Sequence, residues 1–296
     1  MSLSSLVKLI ALAAIWGSSF LFMRIAAPVL GPVVLITLRV LLGALFLLVL
    51  AVIQKKGLDV RAHWKHLLIL GLLNTALPFT LFAFAAETLP ASLLSILNAT
   101  TPIWGALVSA LWLRTPFTLK SAAGLLLGIA GVAILVGIDG TAMSATTIIA
   151  IVAGLAAGLC YGIASVYAKQ ARSVEPFANA HGSLWAAVLW MAPAAPFFPP
   201  VAAPTIMAVV AVLALGILCS GVAYSLYFKL IEEIGAAPAL SVGFLIPVFG
   251  VLWGHLVLNE PVTVRTLAGG LVVLVGTALI TGFNPMILMR RKATAV

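Results

Sequence analysis

Residues 102–137 read PIWGALVSALWLRTPFTLKSAAGLLLGIAGVAILVG, and residues 247–282 read PVFGVLWGHLVLNEPVTVRTLAGGLVVLVGTALITG. At an offset of 145, Pro102 falls on Pro247, Gly105 on Gly250, Pro116 on Pro261, and Thr118 on Thr263. Gly124, Gly131 and Gly137 then fall on Gly269, Gly276 and Gly282, with no gap. A shared apolar composition would make leucines coincide by chance. It would not align prolines, which remove a helical hydrogen bond, or glycines, which admit a second helix at close range. The offset extends upstream, pairing Trp16-Gly17 with Tyr161-Gly162, Arg24 with Lys169, and Glu87 with Glu232. The chain therefore reads as an internal duplication, with copies at 1–140 and 141–296.

Composition sets the medium. Hydrophobic residues make up 64% and charged residues 8%, and the mean hydropathy is +1.25. No water-facing surface can be built from that, so the chain reads as a polytopic membrane protein in the lipid bilayer. The net charge of +9 would suggest nucleic acid in a soluble protein. Here the basic residues sit in short segments between apolar runs, which points to membrane orientation and to no nucleic acid. Cys160 and Cys219 lie inside apolar runs and read as packing residues without a disulfide.

Ten segments have the length and apolarity of a spanning helix: 6–26, 32–53, 65–86, 91–113, 119–138, 146–170, 177–197, 205–229, 236–258 and 263–283. The first resembles a signal peptide at its start, with Lys8 before an apolar run, but is too long and reads as a retained span. Lys8, Lys55, Lys56, Arg61, Lys65, Arg114, Lys120, Lys169, Arg172, Lys229, Arg290, Arg291 and Lys292 all fall on one side, with Arg265 the exception. The positive-inside rule then predicts cytoplasmic termini, in a plasma membrane that would be the inner one of a bacterium. Five spans per copy is an odd number, so the second copy enters the membrane from the opposite side. The expected fold is all-α, with ten transmembrane helices as two inverted five-helix repeats. That is an architecture of secondary transporters, with the substrate near the midplane between the halves.

Several residues could carry chemistry. The seven acidic residues (Asp59, Glu87, Asp139, Glu175, Glu232, Glu233 and Glu260) all fall in or beside loops. Ion-coupled carriers commonly hold a carboxylate within the membrane, so its absence predicts a facilitator with no obligatory proton or sodium ion. Arg39 lies well inside a span and reads either as an attractor of an anionic substrate group or as a snorkelling structural arginine. Its repeat mate is Leu184. Aromatic residues recur at matched positions: Trp16 with Tyr161, Phe79 with Tyr224, and Phe82 with Tyr227. They read as interfacial anchors and packing, or as a cavity lining that offers apolar faces. Ser19, Asn74, Asn98, Thr101, Ser165 and Ser220 lie among them, as interhelical hydrogen-bond donors or as substrate contacts. Pro102 and Pro247, with Gly105 and Gly250, are candidate hinges. Pro102 would release a carbonyl near Asn98. His181 and His255 fall near span ends and read as interfacial.

Enzyme signatures are absent: no P-loop, no H-E-x-x-H and no G-x-S-x-G. Gly17-Ser18-Ser19 with His255 could form an intramembrane serine hydrolase, but the second copy has Ile163-Ala164 at the serine positions. No metal site or cofactor is expected.

Two five-span halves, each with a proline in its fourth span and a P-x-T start to its fifth, resemble the drug/metabolite transporter superfamily, EamA type. Trp16-Gly17-Ser18-Ser19-Phe20, Arg39 and Leu258-Asn259-Glu260-Pro261-Val262-Thr263 carry the likeness. Thr115 departs from it, because the family often has a glutamate there, matching Glu260. Within the superfamily the chain looks most similar to the YddG-type amino-acid exporters. The resemblance implies export of amino acids, including aromatic ones; the inverted repeat points to alternating access, and a monomer is expected. The resemblance also implies, as an alternative, proton-coupled export of toxic cations. An intramembrane enzyme or a structural membrane subunit is the reading from another class.

Overall fold

The computed structural model describes residues 2–57, 60–137, 144–171 and 174–283, so Asp59, Asp139, Arg172, Arg290, Arg291 and Lys292 lie outside it. All regular structure in the described residues is helical. Ten spans follow in order: α1 (Leu3–Leu30), α2 (Pro32–Gln54), α3 (Val60–Ala86), α4 (Ala91–Trp112) and α5 (Leu119–Val136) form the first half. The second half holds α6 (Ala145–Gln170), α7 (Pro176–Met191), α8 (Ile206–Ile234), α9 (Ala236–Ala239 continued by Val242–Leu258) and α10 (Val264–Thr281). Eight of these have the length and apolarity to cross a membrane, while α7 and Val242–Leu258 of α9 are shorter. α7 stops at Met191 rather than at 197, because Pro193 and Pro196 follow and neither can donate a backbone hydrogen bond.

The P-x-T motif now has a cause. Thr118 and Thr263 cap α5 and α10, each accepting the backbone N–H three residues on, from Ser121 and Thr266. The preceding proline ends the loop, and the threonine starts the helix.

Lipid is as apolar as leucine, so helices in a bilayer associate by close packing rather than by escape from water. The glycines show where. A methyl group added to Gly124 would meet the carbonyl oxygen of Gly276 at 2.6 Å, and one on Gly131 would meet that of Gly269 at 2.8 Å. As one index rises the other falls, so α5 and α10, equivalent helices of the two copies, run antiparallel. The repeat is inverted. The other helices interleave across the halves in mate-for-mate fashion: Gly17 of α1 sits on Phe249 and Gly250 of α9, and Gly162 of α6 sits on Trp104 and Gly105 of α4. Likewise Gly71 of α3 meets Ala186 of α7, and Gly216 of α8 meets Leu42 of α2.

Two irregularities interrupt the spans. α3 and α8 each contain a widened π-helical segment, Leu72–Ala76 and Ala214–Val222, at overlapping repeat positions. α4 is broken between Asn98 and Thr101, just before Pro102. Pro247 does not behave like its mate: it lies inside Val242–Leu258, and the break in α9 comes earlier, at Leu240 and Ser241.

Candidate functional site

Arg39 lies on the inward face of α2 between the fully buried Ile36 and Val40 and is itself only 4% exposed. Its Nε donates to Ser220 Oγ at 3.1 Å, its Nη1 approaches Met23 Sδ at 3.9 Å, and its guanidinium carbon stands 3.8 Å above the Phe79 ring. Ser220 passes the bond on to the carbonyl of Leu215, five residues back, which the π-helical turn brings into reach. The ion pairs among the described residues are Lys8–Glu233 and Lys56–Glu175, so Arg39 has no carboxylate partner there. Its Nη2 makes no hydrogen bond within the described chain. A buried cation is costly in this medium, and a cation–π contact worth ~2 kcal/mol with one hydroxyl bond offsets only part of that. The site is short of one anion.

Aromatic rings extend from it on both copies. Trp16 packs edge-on against Tyr224 at 6.2 Å and tilted against Tyr227 at 5.3 Å. Phe82, one turn beyond Phe79, meets Phe20 at 5.4 Å and Tyr161 at 6.4 Å. The Trp16 indole donates to the carbonyl of Cys219, next to Ser220, at 3.2 Å, inside the same π-helical segment. Thus α1, α2, α3, α6 and α8 converge on one cation, the buried rings of Phe20, Phe79 and Phe82, and the half-buried rings of Trp16, Tyr161, Tyr224 and Tyr227.

Buried polar atoms without a partner mark the same region and its surroundings. The hydroxyls of Ser19, Thr75 and Thr101 and the indole N–H of Trp104 are enclosed and make no geometrically sound hydrogen bond, although the Cys219 thiol lies beside Ser19. Each such group costs about 1–3 kcal/mol unless water or a ligand completes it. Thr75 has an explanation in the repeat. It is the mate of Ser220, and the mate of Arg39 is Leu184, which has no donor to give.

Of the predicted residues, the structure brings together Trp16, Arg39, Phe79, Tyr161, Ser220 and Tyr224, with Ser19 close by. Asn74 is half-buried on the π-helical turn of α3. Asn98 and Thr101 flank the break in α4, and the neighbouring carbonyl of Ala99 accepts from Thr277 of α10 at 2.8 Å. Ser165 is exposed and bonds its own helix at Gly162. His255 is exposed and bonds the Glu260 carbonyl, while Ser18 bonds Ile15, so the hydrolase pairing is not formed. His181, near the start of α7, is 1% exposed; its Nε2 accepts the Trp185 indole N–H at 3.0 Å and its ring lies 5.8 Å from that of Phe177. His66 escaped sequence reasoning. It joins Tyr167 of α6 and Asn179 of α7 at 3.3 and 3.0 Å, partners about a hundred residues away.

The two ends of the bundle differ. Where α4 begins and α9 ends, a methyl on Gly250 would overlap the Ser95 side chain, so the helices are pressed together. Where α4 ends and α9 begins, the mate Gly105 meets only α6 within 4 Å, Gly243 faces open space, and Leu240, the mate of Ser95, is 61% exposed. The closed end is fastened at two helix termini. Arg24 donates to the carbonyls of Ala86 and Glu87 at the end of α3, at 2.8 and 2.7 Å. Glu260 accepts the N–H groups of Ala91 and Ser92 at the start of α4, at 2.7 and 3.0 Å. A cation at a helix C-terminus and an anion at an N-terminus are the favourable placements. An opening of about 370 Å³ lies between them, lined by Arg24, Pro28, Thr88, Pro90, Leu258 and Glu260. At the other end Lys169 and Thr115, the mates of Arg24 and Glu260, are exposed, and α9 starts without a side-chain cap. A second opening of about 380 Å³ faces outward between α1, α8 and α9 and is lined almost wholly by apolar side chains.

Comparison with known proteins agrees with this architecture. The profile of the EamA-like transporter family matches residues 3–137 and again 148–282, segments spaced by the same 145 residues. A protein of Bacillus subtilis (strain 168) named Uncharacterized transporter YoaV is 25% identical over 291 residues, covering 97% of this chain and 98% of its own. An Uncharacterized transporter of Archaeoglobus fulgidus is 28% identical over 279 residues, covering 90% and 93%. A solved structure shares the fold at a TM-score of 0.64, with 19% identity, over 94% of this chain and 96% of its own.

Proposed function

The chain belongs to the EamA-like transporter family, and from that premise we propose that it exports small amphipathic metabolites, foremost amino acids with aromatic side chains. The observation that carries the reading is Arg39: a buried cation without an anion among the described residues, set among aromatic rings from both copies. A substrate carboxylate would complete the guanidinium, and its side chain would lie against Trp16, Phe79, Tyr161 and Tyr224. Cations are disfavoured by the same charge, which counts against export of toxic cations. We place the chain in the inner membrane of a bacterium as a monomer with cytoplasmic termini, which makes the open end of the bundle the cytoplasmic one.

Transport proceeds by alternating access. The two copies are related by inversion, so exchanging their conformations would release Gly250 from Ser95 and bring Gly105 against the start of α9. Glu260 opposes that exchange by holding α4, and Thr115 supplies no equivalent hold at the other end. Glu260→Gln is therefore expected to open the closed end. With Cys160 and Cys219 replaced by alanine, a Ser95→Cys probe should react with a membrane-impermeant maleimide several-fold faster when Glu260→Gln is also present, since losing a charged cap costs about 1–2 kcal/mol. Equal rates would remove Glu260 from the gate.

The functional test is uptake of a labelled amino-acid panel into proteoliposomes containing only this protein. No intramembrane carboxylate appears among the described residues: Glu87, Glu175, Glu232, Glu233 and Glu260 all sit at helix ends. Collapsing an imposed pH gradient should then leave the flux of a neutral zwitterion unchanged at a fixed substrate gradient. Uphill accumulation driven by protons alone would defeat the facilitator reading. No flux of any substrate through folded protein would defeat the carrier reading.

A further inference from the structure

We infer that the Arg39 cluster selects aromatic monocarboxylates, the counterparts of aromatic amino acids that lack the α-ammonium group. The inference rests on the carboxylate and aromatic ring of the substrate reading above and departs from it at the α-ammonium, placing acids without that group ahead of the amino acids. A zwitterion brings two charges into the cluster, and the cluster answers one. Arg39 meets the carboxylate through its unbonded Nη2 edge, while Phe79 covers one face of the guanidinium and Ser220 holds Nε. The ammonium finds no carboxylate among the described residues of the spans.

The two neutral acceptors on α8 next to the guanidinium are already engaged. Ser220 Oγ takes the Arg39 bond and gives its proton to Leu215, and the Cys219 carbonyl receives the Trp16 indole. What remains for an ammonium is an aromatic face, the phenol oxygens of Tyr161 and Tyr224, or the unpartnered hydroxyls of Ser19 and Thr75, all of them uncharged. An aromatic face and a few neutral oxygens, with no counter-charge, return less than the water an ammonium surrenders on burial. The guanidinium, a short distance from any group bonded to the same α-carbon, repels it as well. A propanoate with the same ring keeps the carboxylate and the apolar contact and loses only the unanswered charge. A primary amine with that ring keeps the unanswered charge and loses the carboxylate.

The full chain purified in detergent provides the test, by thermal unfolding with three probes: 3-phenylpropanoate, L-phenylalanine and phenethylamine. Half-maximal stabilisation by 3-phenylpropanoate is expected at roughly tenfold lower concentration than by phenylalanine, with no stabilisation by phenethylamine. Arg39→Gln should abolish the shift from the propanoate. Should that variant not fold, 3-phenylpropanamide on the unaltered chain takes its place, and this neutral analogue should give no shift. Equal or tighter binding of phenylalanine would overturn the inference, as would stabilisation by phenethylamine or an amide as effective as the acid. Stabilisation by the acid together with absent flux in proteoliposomes would remove the transport reading and leave the selectivity standing. Phenylalanine flux without any response to the acid would do the reverse.

Discussion

Replacing Arg39 with leucine, the residue at its repeat-mate position 184, is expected to lower carboxylate transport about a hundredfold or more while leaving thermal stability unchanged or raised. Truncating one side of a desolvated charge pair costs roughly 2–5 kcal/mol, and here the lost partner would be the substrate. Stability should move the other way. The guanidinium is buried with one hydroxyl, one thioether and one ring as its company, and exchanging an incompletely paired buried charge for an apolar side chain is often stabilising. Leu184 shows that the fold accepts leucine at this place in the other copy, where it is fully buried. Flux in proteoliposomes and a melting curve on the same preparation separate the outcomes. A variant that loses stability in step with transport would make Arg39 a structural residue and leave the cluster without a function.

Gly276→Leu is expected to eliminate the folded protein. At that position even a methyl group would lie 2.6 Å from the Gly124 carbonyl oxygen and 3.0 Å from the Gly128 nitrogen, so the obstacle is backbone and cannot turn aside. Forcing α5 and α10 apart by a side chain would cost roughly 3 kcal/mol or more, against a stability that rarely exceeds about 15 kcal/mol. The check is size-exclusion chromatography in detergent, in which the monodisperse peak should disappear. Gly243→Ala serves as the control, because nothing lies within 4 Å of a methyl group there, and it should behave as the parent does. Retention of the peak by Gly276→Leu would mean that the seam is not needed for assembly.

Much of the fold was legible because its determinants are local or periodic. Apolar runs of membrane length, loop prolines and the threonine caps each act within a few residues, and the 145-residue offset carried the inversion. The convergence of Trp16, Arg39, Phe79, Tyr161 and Tyr224 was legible for a related reason, since repeat symmetry places mates at equivalent depths. The π-helical segments were not, because a widened turn depends on packing across helices and leaves no periodic trace; the matched pairs Asn74-Thr75 and Cys219-Ser220 are its only sequence hint. His66 was missed because its partners on α6 and α7 are distant in sequence. A released carbonyl near Asn98 was anticipated from Pro102, but the bond from Thr277 to the adjacent Ala99 carbonyl was not, because no spacing rule relates those two residues. The capping role of Glu260 was hidden too, as its acceptor function requires the start of α4 to arrive beside it.

The α5–α10 seam also bears on descent. Gly124 faces Gly276 and Gly131 faces Gly269, and each glycine is the other pair's counterpart at the 145-residue offset. The contact is therefore self-complementary: it needs nothing in one half that the other half does not also possess. A half-length ancestor carrying those two glycines, inserted in both directions in the same membrane, would have met an inverted sister along this line and paired with it. Gene fusion would then have fixed a partnership that already existed. Only after fusion could one copy keep an arginine where the other drifted to leucine, and a glutamate where the other settled on threonine, so that a symmetric dimer gained one charged pocket and one fastened end.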